Sequence, residues 1–465
     1  MSIKKTVALS LLSLLLCIGA VSCGGNNGNG TGTQQSTTAP TQAQTIAPRP
    51  QAPQSFDEQF DAAFALAAEA REEDLEYTVT NGEITVTKYK GSGVSVTIPE
   101  RLNGTPITAI GQGAFADQTQ LKALILPNGL HSLGAGILKG CTSLTALHTP
   151  FLGKTSTDTQ YLGYLFGAST HNDHARDVVA SLKLLSIGPG LTSIPDFALF
   201  DCNELIAIRL DQSIRSLGVY SLYRCRALQS INVDGIERIA EHAMDNCASL
   251  THLTFGEGLS SIGIGALEGC ASLEVLTLPF VGGSQTDNTY LAYLFGATSP
   301  DFSMGYYPPR LVEINLLSTC QSIGRYAFYE FRQLTYLNME EGISSIGTRA
   351  FYGCESLRTL SLPNTVASIG DNAFFGCFRL EQLTLGAPDT SSLTAIGINA
   401  FYGCSSLTEI VLPNALQRIP ASCFADCTSL QRVELGGVRT VGKQAFRNCP
   451  VLGTVLENPA IQYEE

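Results

Sequence analysis

The sequence has little positive charge and few charged residues of any kind. Its 465 residues include 28 Lys and Arg against 41 Asp and Glu, which gives a formal net charge of -13, and charged residues make up only 15% of the chain. Tryptophan is absent and methionine occurs four times. A chain this acidic lacks the basic surface that a phosphate backbone requires, so nucleic acid is excluded as a partner.

Motifs for catalysis and metal binding are also missing. The chain contains no G-x-S-x-G, H-E-x-x-H or phosphate-loop pattern, and no C-x-x-C spacing that would favour zinc. The six histidines are scattered; only His171 and His174 lie close together, in a long loop. We therefore expect no catalytic residue, no cofactor and no metal. The alternative is an enzyme with an unrecognised site near His252 or near the 171–174 cluster.

The first 23 residues carry an export signal. Lys4 and Lys5 precede an apolar run from Val7 to Ala20, which at 14 residues is too short to span a bilayer. The run ends in Ala-Val-Ser-Cys-Gly, which resembles the lipobox of bacterial lipoproteins. The resemblance implies a signal peptide over 1–22 and a lipid on Cys23, the only membrane attachment that we expect. A secretory leader cleaved elsewhere and an uncleaved anchor are the alternatives.

The next segments lead into the folded part. Residues 23–54 are rich in Gly, Asn, Thr, Gln and Pro and read as a lipid anchor followed by a disordered linker. A short helix is expected within 55–76. A hairpin that turns at Asn81-Gly82 opens an N-terminal hairpin and cap over 77–117.

The remaining chain repeats a unit of about 23 residues. Each unit contains a cysteine or an equivalent residue at the same position. Successive residues of this kind are separated by 22, 23 or 27 positions, except for two intervals of 38. Such self-similarity predicts a repeat solenoid over 118–456, a leucine-rich-repeat parallel β ribbon of about 14 rungs, with 457–465 as a tail. The convex side is expected to be short helical or irregular.

Within each unit, residue types indicate the course of the chain. An L-x-x-L-x-L stretch forms the strand, a proline such as Pro363 ends it, and a glycine such as Gly370 supplies a bend that a Cβ would hinder. Phenylalanines at one position predict an aromatic row through the interior: Phe328, Phe351, Phe374, Phe401, Phe424 and Phe446.

The unit L-x-x-L-x-L-P-x-x-L-x-x-I-G-x-x-A-F-x-G-C resembles the repeat of the BspA-like leucine-rich-repeat surface proteins. The stretch VTIPERLNGTPITAIGQGAF over 96–115 is similar to the segment that leads into that family's repeats. The resemblance covers residues 77 to about 456. It implies adhesion-type roles at the cell surface, such as attachment to host matrix or plasma proteins or to other cells.

Cysteine is explained by the repeat. Apart from Cys17 and Cys23, twelve cysteines remain, and all fall in small apolar positions of the frame, so we expect a ladder of buried thiols that reach loop carbonyls. The ladder comprises Cys202, Cys225, Cys247, Cys270, Cys354, Cys377, Cys404, Cys427 and Cys449. Cys141 shares their position, and Cys320 and Cys423 fill other slots.

Two units are 15 residues longer than the rest and share the skeleton P-F-[LV]-G…T-D…Y-L-x-Y-L-F-G-A. Loops that leave one face of a solenoid often bind partners, and tyrosine is favoured at interfaces. The candidate partner-binding residues are Tyr161, Tyr164, Tyr290, Tyr293, Tyr306 and Tyr307. Alternatively, Y-L-x-Y-L-F replaces local core. The tips 169–178 and 298–309 differ from each other and are the better candidates for partner contact.

The sequence thus favours an exported binding protein that is lipid-anchored to the cell envelope and faces outward, rather than an enzyme. We expect it to recognise a host or cell-surface protein or glycan through the repeat surface. The alternative is an envelope scaffold or glycan-capture protein that binds no host molecule.

Overall fold

Each repeat folds as one turn of a parallel β-solenoid with about 16 turns and little helix. The computed structural model describes residues 56–158, 160–450 and 460–464, and residues 50–465 form one compact unit. The signal peptide, Cys23 and the linker predicted over 1–54 lie outside the described residues. Each regular turn carries two strands, and equivalent strands of successive turns form two rows.

Row A is built from the L-x-x-L-x-L stretches. Leu147, Leu185 and Ile208 occupy the same register position in three successive strands, and all three are buried. The prolines follow the ends of these strands, as expected. Row A comprises Ala68–Glu69, Ser95–Thr97, Ala123–Ile125, Ala146–Thr149, Leu184–Ile187, Ala207–Leu210, Ser230–Ile231, His252–Thr254, Val275–Leu278, Glu313–Leu316, Tyr336–Met339, Thr359–Ser361, Gln382–Thr384, Glu409–Val411 and Arg432–Glu434.

Row B is a second row of short strands just before the Ile-Gly bend. In Ser345–Ile346 the serine is partly exposed while the isoleucine is buried and pairs with the isoleucines of both neighbouring turns. Row B comprises Thr105–Ile110, Ser132–Leu133, Ser193–Ile194, Ser216–Leu217, Arg238–Ile239, Ser261–Ile262, Ser322–Ile323, Ser345–Ile346, Ser368–Ile369, Ala395–Ile396, Arg418–Ile419, Thr440–Val441 and Gln462–Tyr463. At its N-terminal end it is joined by Leu75–Thr80, Glu83–Tyr89 and Arg101–Leu102.

The glycine after row B is required by close approach between turns. A Cβ added at Gly347 would lie 2.6 Å from the backbone nitrogen of Arg325 in the preceding turn, a distance that real Cβ atoms do not reach. The φ angle there is not in the left-handed region. The predicted bend is therefore correct in position, and the reason for glycine is the backbone of the neighbouring turn.

The interior holds the predicted aromatic row. The rings of Phe328 and Phe351 lie 4.9 Å apart with an interplanar angle of 10°, and the row continues to Phe446 with spacings of 4.9 to 5.5 Å. Every ring in the row is at most 1% exposed. The spacing matches the separation of neighbouring strands, so each turn contributes one ring to a continuous stack.

The solenoid extends beyond both predicted boundaries. Ser95–Thr97 pairs in parallel with Ala123–Ile125, so the segment assigned as a cap already belongs to the stack. At the other end, Gln462–Tyr463 pairs in parallel with Thr440–Val441, so the predicted tail at 457–465 ends in a further strand. Alternating apolar residues in both segments can cover the core of the adjacent turn, which explains why they join it.

The N-terminal region turns twice at Asn-Gly. The predicted hairpin pairs Leu75–Thr80 with Glu83–Tyr89 around Asn81 (φ 52°) and Gly82 (φ 79°). Asn103 and Gly104 form a second such turn, with φ of 50° and 82°. Both residues of each turn have positive φ, which is why Asn-Gly is favoured there.

The N-terminal helix is shorter than the segment 55–76 assigned to it. It covers Phe56–Phe64, and the chain then leaves the helix because Ala68–Glu69 pairs with Val96 and Thr97 as the first strand of row A. Phe60 is fully buried beneath the guanidinium of Arg209, which lies 4.6 Å from its ring centroid. The helix therefore covers part of the outward face of row A.

The other helical segments are brief. Most occur in the two long units. The α-helices are Phe56–Phe64, Gly163–Phe166 and His174–Asp177, and the 3-10 segments are Glu72–Asp74, His171–Asp173, Leu291–Phe295 and Pro300–Gly305. The helices of the described residues are all too short or too polar to traverse a lipid bilayer.

Candidate binding surface

The skeletons of the two long units fold alike. The hydroxyl of Tyr161 donates to the carbonyl of Ala168, and that of Tyr290 to the carbonyl of Ala297, both over 3.2 Å. In both units a glycine in the left-handed region follows the helical turn, with φ of 95° and 96°. The leucines and phenylalanines of Y-L-x-Y-L-F are buried in both units. The skeleton therefore replaces the core of an ordinary turn.

Burial corrects the assignment of two tyrosines as partner contacts. Tyr290 is 8% exposed and Tyr307 is 7% exposed, so neither offers a surface to a partner. Tyr307 stacks on Phe331 at 4.3 Å and donates to the carbonyl of Tyr329. Tyrosine is common at protein interfaces, but a tyrosine whose hydroxyl donates to a backbone carbonyl is also stable inside the core.

The other four candidate tyrosines divide further. Tyr161, Tyr164 and Tyr293 are partly buried, and Tyr164 and Tyr293 pack against the core. Tyr164 also donates to the carbonyl of Leu133 in the preceding turn. Tyr306 is 40% exposed and alone among the six is a large exposed side chain. Partner contact through these four residues remains a prediction, and Tyr306 is the best placed.

The tip of the first long unit, residues 169–178, folds back onto the solenoid. His174 is fully buried and its Nδ1 lies 2.7 Å from the carbonyl oxygen of Phe200. The ring of His171 stacks on Phe197 at 4.7 Å. The two histidines are therefore held by different neighbours, and burial lowers the pKa of His174 to about 4.

The tip of the second long unit, residues 298–309, displays apolar side chains. Phe302, Met304 and Tyr306 are 69%, 57% and 40% exposed, and all lie in or directly after the 3-10 segment Pro300–Gly305. Ser299 caps this segment by accepting from the backbone N–H of Asp301. An apolar cluster held out on an ordered turn is typical of a contact surface.

Stacked rings line the surface between the two long units. Starting from His171, the stack continues through Phe197 and Tyr220 to His242, with ring separations of 4.7 to 5.6 Å. In Tyr220 both ring faces are used, one by Phe197 and the other by His242. Partly exposed rings that are sandwiched in this way offer edges rather than faces to a ligand.

The sequence profile of the BspA type leucine rich repeat region matches residues 89–161, 177–287 and 321–453, in six copies. The chain belongs to the BspA-type leucine-rich repeat family. Leucine-rich repeat proteins are typically non-enzymatic scaffolds that bind protein or other macromolecular ligands. No curated protein matches the chain significantly.

Solved structures of several bacterial repeat proteins are similar to this BspA-type chain. A leucine-rich repeat protein from Bacteroides ovatus is 18% identical, over 84% of this chain and 98% of its own, with a TM-score of 0.37. A leucine rich cell surface protein from Faecalibacterium prausnitzii is 20% identical over 85% and 94%, with a TM-score of 0.31. The pneumococcal vaccine antigen PcpA is 17% identical over 81% and 87%, with a TM-score of 0.26. At such identities the likeness concerns the fold alone.

The twelve cysteines described in this BspA-type chain are free and buried. Most of the thiols donate to a backbone carbonyl of the preceding turn. Cys354 Sγ, for example, donates to the carbonyl of Phe328 over 3.3 Å, and Cys377 Sγ to that of Phe351 over 3.4 Å. Burial raises the pKa of Cys377 to about 12. Protonated thiols that satisfy carbonyls fit the structural role that the repeat predicts.

Two histidines lie close to a potential nucleophile, one to a serine hydroxyl and one to a cysteine thiol, but the pKa values of these groups do not suit catalysis near neutral pH. Ser186 Oγ lies 2.9 Å from His148 Nδ1, beside a cavity of about 380 Å³, yet burial lowers the pKa of His148 to about 4. Cys202 Sγ lies 4.0 Å from His174 Nδ1, yet burial raises the pKa of the thiol well above its usual value. Neither histidine is a good general base near neutral pH.

His252, the other histidine considered for catalysis, has no carboxylate partner among the described contacts. Its Nδ1 lies 3.1 Å from the hydroxyl of Thr251. That arrangement provides no acid or base to activate a nucleophile, and nothing in the described residues gives positive support for catalysis at this position.

Sequence reasoning missed a cluster formed by His242, Asp245 and Glu268. His242 Nδ1 lies 3.0 Å from Asp245 Oδ2 and 3.6 Å from Glu268 Oε2. Burial raises the pKa of both carboxyls, and the charge of Asp245 raises that of Glu268 further. A signal existed in the sequence: 23 residues, one repeat length, separate Asp245 from Glu268, so the two occupy the same position in adjacent turns.

Proposed function

We propose that this chain is an adhesin-like binding protein of the cell surface, attached to the envelope through a lipid on Cys23. Membership of a surface-protein repeat family supports the surface location, and the sequence at Cys23 supports the lipid. The partner is a host or cell-surface macromolecule, bound without chemical change. Residues 298–309 provide the principal contact.

The observation that carries this proposal is the exposed apolar cluster at Phe302, Met304 and Tyr306. Large apolar side chains cost free energy when they face water, and three of them within five residues of chain are unusual on a soluble surface unless a partner covers them. Aromatic and methionine side chains are also enriched in the cores of protein interfaces. A protein surface is therefore the expected partner.

Glycan capture, the alternative function, finds less support in the rings between the long units. Sugars stack on free aromatic faces, whereas Tyr220 has Phe197 on one face and His242 on the other. Tyr306 stands apart from this stack and could serve either ligand class. The binding experiment below therefore includes glycans.

The location and the lipid are tested on cells that express the chain. Protease added to intact cells should cleave the ectodomain, and Cys23→Ser should abolish labelling by a radioactive fatty acid and release the protein. Cleavage only after the envelope is opened would contradict the outward location. Continued fatty-acid labelling of Cys23→Ser would contradict lipid attachment at Cys23.

Binding is tested on arrays of matrix proteins, plasma proteins and glycans. The variant with Phe302, Met304 and Tyr306 changed to serine should lose at least about tenfold in affinity for the captured protein ligand. Phe378→Ser is the matched control, because Phe378 is 49% exposed and lies elsewhere on the solenoid. Glycan binding that survives the triple substitution would favour the alternative function, and equal effects of both variants would contradict the proposed contact.

A further inference from the structure

One column of side chains on the surface changes its chemistry in the middle of the solenoid. The column is formed by the residue two positions before the repeat cysteine, or before the residue that replaces it, and between Phe200 and Tyr402 most of its members are aromatic. Along the chain it includes Phe200, Tyr223, Asp245, Glu268, Tyr329, Tyr352, Phe375 and Tyr402. Successive aromatic members stack about 5 Å apart. Two carboxylates thus occupy adjacent positions in a row of rings.

This placement of like charges is electrostatically unfavourable, and the charges of Arg224 and His242 oppose it at Asp245. Side chains at equivalent positions of neighbouring turns are close, and like charges at that spacing repel. The side chain of Asp245 is only 8% exposed, so water screens its charge poorly, whereas that of Glu268 is 46% exposed. His242 faces both carboxylates through the same nitrogen, Nδ1.

We propose that His242, Asp245 and Glu268 bind a divalent transition-metal ion such as Zn²⁺. One ligand atom from each residue lies within 4.8 Å of the other two. An ion with bonds of about 2.0–2.1 Å to nitrogen and oxygen holds its ligand atoms about 3.0–3.5 Å apart, close to the histidine–carboxylate distances of 3.0 and 3.6 Å.

The surroundings hold each ligand in place. Asn246 Nδ2 donates to Asp245 Oδ1 over 2.5 Å, which leaves Oδ2 directed at the site. The ring of His242 stacks on Tyr220 at 5.1 Å with an interplanar angle of 7°. Gly265, the counterpart of His242 in the next turn, gives the ring its space, since a Cβ there would lie 2.6 Å from His242 Cε1. Such outer contacts orient metal ligands.

The ligand set favours a transition metal over calcium. Ca²⁺ prefers six to eight oxygen ligands, whereas imidazole nitrogen with carboxylate oxygens suits Zn²⁺ and similar ions. Glu268 and His242 are partly exposed, so the ion can enter from solvent and keep open coordination positions. The site lies beside Gly296 of the second long unit, where a Cβ would approach Glu268 Oε2 to 2.8 Å.

The test measures binding of Zn²⁺ by calorimetry and of Co²⁺ by visible absorption, on the purified full chain. We expect one site that prefers both ions to Ca²⁺. Glu268→Gln should weaken binding at least about tenfold, and His242→Tyr should abolish it while keeping the ring stack, since tyrosine occupies the same position at Tyr220. His131→Gln, which changes an exposed histidine elsewhere, is the control and should bind normally.

Three results would overturn the site. The first is absence of Zn²⁺ binding to the folded chain. The second is binding that both Glu268→Gln and His242→Tyr leave unchanged. The third is a thiolate-to-cobalt charge-transfer band in the near ultraviolet, which would assign the ion to cysteines. Circular dichroism of the variants separates lost binding from lost fold, and Glu268→Gln, at a partly exposed position, is the variant that should fold normally.

Discussion

The segments 161–168 and 290–297 fold alike, yet the tips that follow them present different surfaces. In the first long unit the tip returns to the solenoid and buries His174. In the second the tip buries Tyr307 but holds Phe302 and Met304 in solvent. A duplicated skeleton thus supports one closed tip and one open tip. The comparison shows that the repeat frame determines the skeleton and that the following ten or so residues determine the surface.

One residue of the skeleton accompanies this difference. The two Y-L-x-Y-L-F stretches carry Gly163 in the first unit and Ala292 in the second. A Cβ at Gly163 would collide with the ring of His174 and lie 2.8 Å from Ala168 Cβ. Glycine at this position therefore makes the space into which the closed tip places its histidine.

The largest expected difference between the two tips is in their response to acid. Burial holds the pKa of His174 at about 4, below the value of about 6.5 expected in the unfolded chain. The unfolded state therefore binds more protons between these pH values, and the free energy of unfolding falls as the pH is lowered through that window. The loss at His174 amounts to at most about 3 kcal/mol.

Limited proteolysis at pH 7 and pH 5 checks this prediction. Cleavage within 169–178 should rise at pH 5, whereas cleavage within 298–309, a segment without histidine, should change little. His174→Phe should reduce the dependence on pH. Equal acceleration at both tips would show that His174 does not control the closed tip.

Exchange of the distinguishing residue should have the next largest effect. Gly163→Ala should lower the free energy of unfolding by about 2 kcal/mol because it overpacks the buried ring. Ala292→Gly removes one methyl group and adds backbone freedom, and should cost about 1 kcal/mol. Urea unfolding of both variants provides the comparison.

A double-mutant cycle identifies the partner of the added methyl group. The cost of Gly163→Ala should largely disappear in a His174→Ala background, since the ring that it meets is gone. An unchanged cost would place the collision elsewhere.

The tyrosine hydroxyls test whether the skeletons are equivalent. Tyr161→Phe and Tyr290→Phe each remove one hydrogen bond of 3.2 Å to a backbone carbonyl. Each should cost about 1 kcal/mol in urea unfolding. A clear difference between the two costs would mean that the long units differ in their skeletons as well as in their tips.

The open tip should tolerate polar substitution. Phe302→Ser and Met304→Ser change side chains that already face water, so each should alter the free energy of unfolding by less than about 0.5 kcal/mol. Thermal unfolding beside Phe378→Ser checks this. A large loss of stability would show that these side chains support the fold.

The repeat explains why much of the fold could be predicted. The 23-residue spacing places Phe351 and Phe374 at the same position of adjacent turns, and the stack of their rings follows directly. The strands of row B are harder to predict from the sequence. A two-residue strand such as Ser345–Ile346 has no alternation to mark it, and only its pairing with other turns makes it a strand.

The binding surface was predicted less completely than the fold. The tips were identified because their sequences diverge, but the burial of Tyr290 and Tyr307 depends on rings and carbonyls contributed by other parts of the chain. The cluster at His242 joins residues of two turns, and it becomes visible in sequence only when Asp245 and Glu268 are compared column by column.

Exchange of the two tips tests the central claim most directly. Residues 298–309, except the buried Tyr307, would be replaced by the sequence of 169–178 in one variant that also carries Ala292→Gly to make room for the histidine, and the reverse replacement would be made in another. Affinity for the captured protein ligand should be lost in the first variant and retained in the second, while both keep the circular dichroism of the parent. Full affinity without 298–309 would contradict the assignment of the open tip as the contact surface.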